Sequence, residues 1–151
     1  MHNTIISDTS CLILLDKINE RDILEKLYGE VIITSFIAHE YGKSLPSWIK
    51  IIDPKNIEFM NELLKSLDRG EASAITLAIE LQDCTLILDE EPARKKAIEL
   101  GLTFTGTLGV LAKAKREGII PLLKPYFDKI ELTDFHTTPE LLKMILKSVG
   151  E

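Results

Sequence analysis

Five short runs along the chain predict the strands of one sheet. Most are rich in isoleucine, valine, leucine or threonine, as expected of strands that are buried on both faces of a parallel sheet. Turn and capping residues bound these runs. The predicted strands cover residues 4–8, 31–33, 49–52, 85–88 and 103–104, with the third at an edge of the sheet.

Helix-like stretches separate the predicted strands. Capping residues, glycine stops and prolines in first turns set their limits, and Thr107 is predicted to cap the seventh helix. The predicted helices cover residues 10–17, 22–28, 35–41, 56–66, 70–82, 92–100, 107–117, 122–129 and 139–149. This alternation predicts an α/β fold, a three-layer sandwich with a central, mainly parallel sheet and helices on both faces. Residues 1–151 are predicted to form a single domain.

Two of the predicted strands run into an aspartate, Asp8 and Asp89. Ligands of parallel sheets bind just beyond the carboxyl ends of the strands, so the two acids indicate one shared site. Each also has a simpler interpretation. Asp8 can cap the following helix, and Asp89 can be a turn residue before Pro92.

Glu71 is the third candidate acid. In its helix, Ser73, Thr76 and Glu80 form one polar stripe, which places Glu71 on the opposite, inward side. The alternative is an acid in the first turn that complements the helix dipole.

Glu40 is the fourth candidate acid. It lies near the end of a helix, where the dipole disfavours a negative charge, and on the stripe that the helix should bury. The alternative is a frayed, exposed helix end. The neighbouring His39 is expected at the surface, and His2 and His136, near the termini, indicate no site.

Four carboxylates without a histidine or cysteine partner favour a hard cation, Mg²⁺ or Mn²⁺. Such ions activate a water and stabilise the leaving oxygen in phosphoryl transfer, which is the chemistry of nucleases and phosphatases. Ser10, Arg94, Thr105 and Thr107 are candidates for binding a substrate phosphate. Helix capping and a solvated basic helix face are the alternatives for these residues.

Composition restricts the partners. The net charge of −6 means that nucleic acid would have to be bound through local basic patches and metal ions. The two cysteines, Cys11 and Cys84, form no C-x-x-C pair, which favours a reducing cytoplasm over a disulfide framework. We expect no membrane segment and no signal peptide.

Three short motifs give the chain a resemblance to a known family. Asp8-Thr9-Ser10, Gly70-Glu71-Ala72 and Gly106-Thr107-Leu108-Gly109 together resemble a PIN-domain protein, of a compact prokaryotic branch of predicted nucleases related to VapC-like toxins. The resemblance covers nearly the whole chain and implies a PIN-like fold.

The resemblance also implies a function. In such proteins the acids corresponding to Asp8, Glu40, Glu71 and Asp89 coordinate Mg²⁺ or Mn²⁺ for hydrolysis of RNA. Homodimers are usual, and toxin members of toxin–antitoxin pairs bind a small antitoxin protein. We therefore expect a cytoplasmic, metal-dependent endoribonuclease.

Other functions are weighed against this one. The acidic charge, and Glu90-Glu91 beside the fourth acid, leave open a non-catalytic module that binds RNA or a protein partner. The apolar stripe of the final helix fits such a partner, although packing on the protein's own core explains it as well. A phosphatase with Asp8 as its nucleophile is disfavoured, because Ser10 stands where a second aspartate is needed.

Overall fold

A computed structural model describes residues 3–151, so that His2 lies outside the described part of the chain. Five parallel strands form one sheet in the order β3-β2-β1-β4-β5. The strands are β1 (Thr4–Ser7), β2 (Val31–Ile33), β3 (Ile49–Ile51), β4 (Cys84–Ile87) and β5 (Phe104–Thr105).

Helices connect the strands and flank the sheet. They are α1 (Thr9–Lys17), α2 (Asp22–Tyr28), α3 (Ser35–Tyr41), α4 (Ile57–Leu63), α5 (Arg69–Leu81), α6 (Glu91–Glu99), α7 (Thr107–Arg116), α8 (Lys124–Glu131) and α9 (Pro139–Ser148). The predicted α/β fold is therefore confirmed. None of the helices formed by residues 3–151 has the length and apolar character needed to cross a bilayer.

The centre of the sheet explains where a site can form. Strand β1 is nearly all buried and pairs with β2 on one side and with β4 on the other. In the pair with β4, the register runs from Thr4 opposite Cys84 to Ser7 opposite Ile87. The order of the strands reverses at this pair, and such reversals open a crevice beyond the carboxyl ends of the strands. Asp8 and Asp89 lie at that edge.

The polar stripe predicted on α5 does not face solvent as expected. Ser73 and Thr76 are buried, with 0% and 1% of their surface exposed. Their hydroxyls donate to the carbonyls of Gly70 and Ala72 one turn earlier, at 2.8 Å in each case, so neither needs water. Ser73 also shares a 2.6 Å hydrogen bond with Thr34, the N-cap of α3. This buried pair ties the start of α5 to α3.

Candidate active site

Asp8 connects the central strands β1 and β4 beyond their carboxyl ends. It follows β1 directly, is only 5% exposed, and caps α1 by accepting a 2.9 Å hydrogen bond from the Cys11 N–H at Oδ1. Its other oxygen, Oδ2, accepts from the N–H of Asp89, also at 2.9 Å. The capping interpretation is therefore correct but incomplete, because the second oxygen joins Asp8 to Asp89.

Asp89 is held from the other side by α7. Its Oδ1 accepts from the N–H of Thr107 at 2.8 Å, and its Oδ2 accepts from the Thr107 hydroxyl at 2.5 Å. The prediction that Thr107 caps α7 is wrong, because Gly106 is the N-cap and Thr107 the first helical residue. Thr107 is also fully buried, and both of its donors are taken by Asp89. It therefore positions a carboxylate and leaves no donor for a phosphate.

Glu40 approaches this edge from α3. Glu40 is exposed at the end of the helix, so the expectation that it lies on a buried stripe is wrong and the alternative of an exposed helix end is correct. Its Oε1 nevertheless accepts a 3.2 Å hydrogen bond from the hydroxyl of Thr9, next to Asp8. The same oxygen packs against Gly70, where a β-carbon would overlap it. Glycine at position 70 thus permits the close approach of the Glu40 carboxylate to the start of α5.

Glu71 takes part in the cap of α5. Its N–H donates to Asp68 Oδ1 at 2.8 Å, and its Oε1 accepts from the Asp68 N–H at 3.2 Å, which together form a capping box. The capping alternative is thus present in the structure. Glu71 is half-buried rather than fully inward.

Several negatively charged groups lie near the buried carboxylate of Asp8. Burial raises the pKa of Asp8 from 3.8 to about 8, and the charges of Asp89 and Glu71 add to this rise, whereas hydrogen bonds from two backbone N–H groups oppose it. Burial likewise raises the pKa of Glu71, with the charges of Asp68, Glu90 and Glu40 adding to it. The pKa of Glu40 is raised by burial and by Asp68. A cation near these acids would relieve their repulsion.

The donor set fits a hydrated hard cation. Among residues 3–151, no three histidine, cysteine, aspartate or glutamate side chains converge closely enough to enclose a metal ion. Mg²⁺ does not need such an enclosure, since it keeps several waters and takes one or two carboxylates together with substrate phosphate. Asp8 and Asp89 could supply that pair. Glu71 adds negative charge near Asp8, and Glu40 adds negative charge near Glu71.

The remaining substrate-binding candidates lie around Asp89. The Ser10 hydroxyl donates to Glu90 at 3.4 Å. The Nε of Arg94 donates to the carbonyl of Leu88 at 2.7 Å, and its guanidinium lies over the ring of Phe104, 5.4 Å from the centroid.

Glycine at position 106 makes room for the guanidinium of Arg94, because a β-carbon there would overlap it and would lie 3.0 Å from Asp89 Oδ1. Thr105 is half-buried beside them. A fixed cation thus stands next to the acids.

Two residues near Asp89 were not predicted from the sequence. Phe135 and His136, in the segment that joins α8 to α9, line two cavities that also include Asp89. His136, which was expected to indicate no site, lies on the wall of both cavities. No periodic pattern marks this irregular segment, so the sequence does not indicate that it lies beside Asp89.

The raised pKa of Asp8 predicts a pH dependence of stability in the absence of divalent cations. Between about pH 4 and pH 8 the folded protein retains a proton that the unfolded chain releases. The contribution of Asp8 to the free energy of unfolding should therefore be fully present below this window and be lost as pH rises through it, by up to about 1.4 kcal/mol per pH unit. Urea unfolding in EDTA at several pH values measures the slope.

Two variants isolate the contribution of Asp8. Asp8→Asn cannot titrate and should show a shallower fall, whereas Asp22→Asn, at an exposed position in α2, should follow the wild type. Equal slopes in the wild type and Asp8→Asn would contradict this electrostatic account.

Comparison with protein families agrees with this fold. A family model for DUF3368, described as a PIN domain, matches residues 4–151 and therefore includes all five strands and the four acids. No curated protein matches the sequence. PIN domains are generally nucleases, which typically use divalent metals. The chain belongs to the PIN-domain family.

Proposed function

We propose that the protein is a metal-dependent endoribonuclease that hydrolyses RNA phosphodiester bonds with Mg²⁺ or Mn²⁺. The observation that carries this proposal is the contact between Asp8 and Asp89. A buried carboxylate accepts the N–H of a second aspartate at the edge where parallel sheets bind ligands. A divalent cation is the ligand that offsets this concentration of charge, and such a cation also binds a substrate phosphate.

The residues around the acids fit the handling of a phosphodiester. A bound Mg²⁺ or Mn²⁺ would supply an activated water and stabilise charge on the leaving oxygen. Asp8 and Asp89 would hold it, and their orientation is fixed by backbone N–H groups and by Thr107. Arg94, restrained by Leu88 and Phe104, would bind the phosphate and orient it toward the acids.

The biological role belongs to the same proposal. We infer a VapC-like toxin component that acts as a homodimer in the cytoplasm and is inhibited by a small antitoxin protein. Both cysteines are free, which agrees with a reducing compartment. Large apolar side chains that are more than half exposed offer surface for a second subunit or an antitoxin, namely Ile98, Leu122, Leu132 and Met144.

A non-catalytic binding module is the second candidate. Its support is the net charge of −6 and the exposed apolar side chains of α9, of which Leu141 is 37% and Met144 63% exposed. The inner side of α9 packs on the protein's own core through Leu142, Ile145 and Leu146. Only part of the predicted apolar stripe is therefore available to a partner.

Loss of Asp8 should abolish cleavage. With a single-stranded oligoribonucleotide and Mn²⁺, we expect Asp8→Asn to lower kcat/KM by at least about 100-fold. Mutating a residue that only supports a metal ligand already lowers metal affinity or activity by about 10- to 100-fold, and Asp8 is proposed to be a ligand itself. Glu62→Gln, which changes an exposed acid on α4, is the matched control and should cleave like the wild type. Equal activity of Asp8→Asn and the wild type would overturn the proposal.

Metal binding separates the two candidates. Isothermal titration with Mn²⁺ should show binding by the wild type and binding several-fold weaker by Gly70→Ala, whose β-carbon displaces the Glu40 carboxylate. The thermal stability of Gly70→Ala should be kept, since alanine favours a helix over glycine by about 1 kcal/mol.

In a Glu40→Ala background, adding Gly70→Ala should have no further effect on Mn²⁺ affinity. Absence of binding by the wild type at millimolar Mn²⁺ would favour the non-catalytic module.

A further inference from the structure

Two cavities meet at Asp89. One has a volume of about 380 Å³ and the other about 250 Å³, and both are lined by Asp89, Phe135 and His136. The segment containing Phe135 and His136 therefore borders both cavities, as Asp89 does. A chain molecule bound at Asp89 would pass this segment.

The larger cavity combines apolar walls with a few polar groups. Its apolar side chains come from β5, α7, the α8–α9 connection and α9, and they are Phe104, Leu108, Phe135, Leu141 and Ile145. Arg94, Thr105 and His136 add hydrogen-bonding groups next to Asp89. Apolar walls with a few polar groups, at this volume, are typical of sites for small organic ligands.

The arrangement favours a planar ring attached to a phosphate. Phe135 is half-buried, so one part of its ring is fixed by packing and the rest is available for stacking. Arg94 is held at the boundary between the cavity and Asp89 by its bond to Leu88. A purely apolar ligand would give no partner to the guanidinium N–H groups of Arg94 other than the one bonded to Leu88, and a free anion would be repelled by Asp89.

We propose that the larger cavity binds one nucleobase of a single-stranded RNA, next to the phosphodiester that is cleaved. Phe135 stacks on the base, and His136, which is exposed, contacts the adjoining sugar–phosphate backbone. This inference rests on the proposed nuclease function and adds that the substrate is single-stranded. A base inside a duplex is stacked on its neighbours and cannot enter the cavity.

Removal of single bases tests the inference without relying on cleavage. The probe is a fluorescein-labelled single-stranded oligoribonucleotide in Ca²⁺, a hard cation with the same oxygen ligands, and binding is measured by fluorescence anisotropy. An abasic residue is placed at each position in turn. We expect one position, beside the cleavage site, where loss of the base weakens binding by about 10-fold, within the range expected for one stacked base.

Variants of Phe135 assign that position to the cavity. Phe135→Ala should bind the intact and the abasic oligonucleotide equally, whereas Phe135→Trp should keep the difference because it can still stack. Phe59→Ala, which removes a half-buried ring on α4 outside this cavity, should behave like the wild type. The same sequence in a duplex should bind more weakly than the single strand.

The outcomes distinguish this inference from the proposed function. Cleavage in Mn²⁺ with no position sensitive to base removal would overturn the base site and leave the nuclease intact. A sensitive position that depends on Phe135, without cleavage in Mn²⁺, would support the base site and overturn the catalytic proposal. If Phe135→Ala bound both oligonucleotides more weakly than the wild type does, but still bound the intact one more tightly than the abasic one by the wild-type factor, the role of Phe135 would be purely structural. That result would overturn the inference.

Discussion

The carboxylate of Asp8 is bound by two backbone N–H groups and has almost no contact with water. One of these bonds starts α1 and the other fixes Asp89 beyond β4, so a single side chain joins the two central strands to the first helix. The positions of the other polar groups follow from it. Asp89, once placed, is reached by Thr107 from α7, and Glu40 is reached by Thr9 from α1.

This arrangement costs stability in the isolated protein, because burial and neighbouring charges both disfavour the ionised form of Asp8. Two glycines increase the crowding, since Gly70 admits the Glu40 carboxylate and Gly106 admits the Arg94 guanidinium beside Asp89. A core selected only for stability would avoid this. Carboxylates held together by backbone donors are instead expected where a cation completes the site, and proteins often lose stability at such functional positions.

The sheet and its helices were predictable from the sequence, because buried strands and capped helices have local patterns. The approach of the two strand-end aspartates followed from the parallel order. What failed depended on tertiary contacts. Ser73 and Thr76 are polar yet buried, since their hydroxyls bond to their own helix. Thr107 binds Asp89 instead of capping α7. Phe135 and His136 line the cavities beside Asp89, and no pattern in their own segment signals this.

The claim that the acids at the sheet edge bind a divalent cation is tested most directly by crystals soaked in Mn²⁺. The account predicts an anomalous difference peak within about 2.0–2.3 Å of carboxylate oxygens of Asp8 and Asp89, close to the distances that hard divalent cations adopt with oxygen ligands. The same soak of Asp8→Asn crystals should lose the peak. Absence of a peak in the wild type at saturating Mn²⁺, or a peak bound to neither aspartate, would contradict the account.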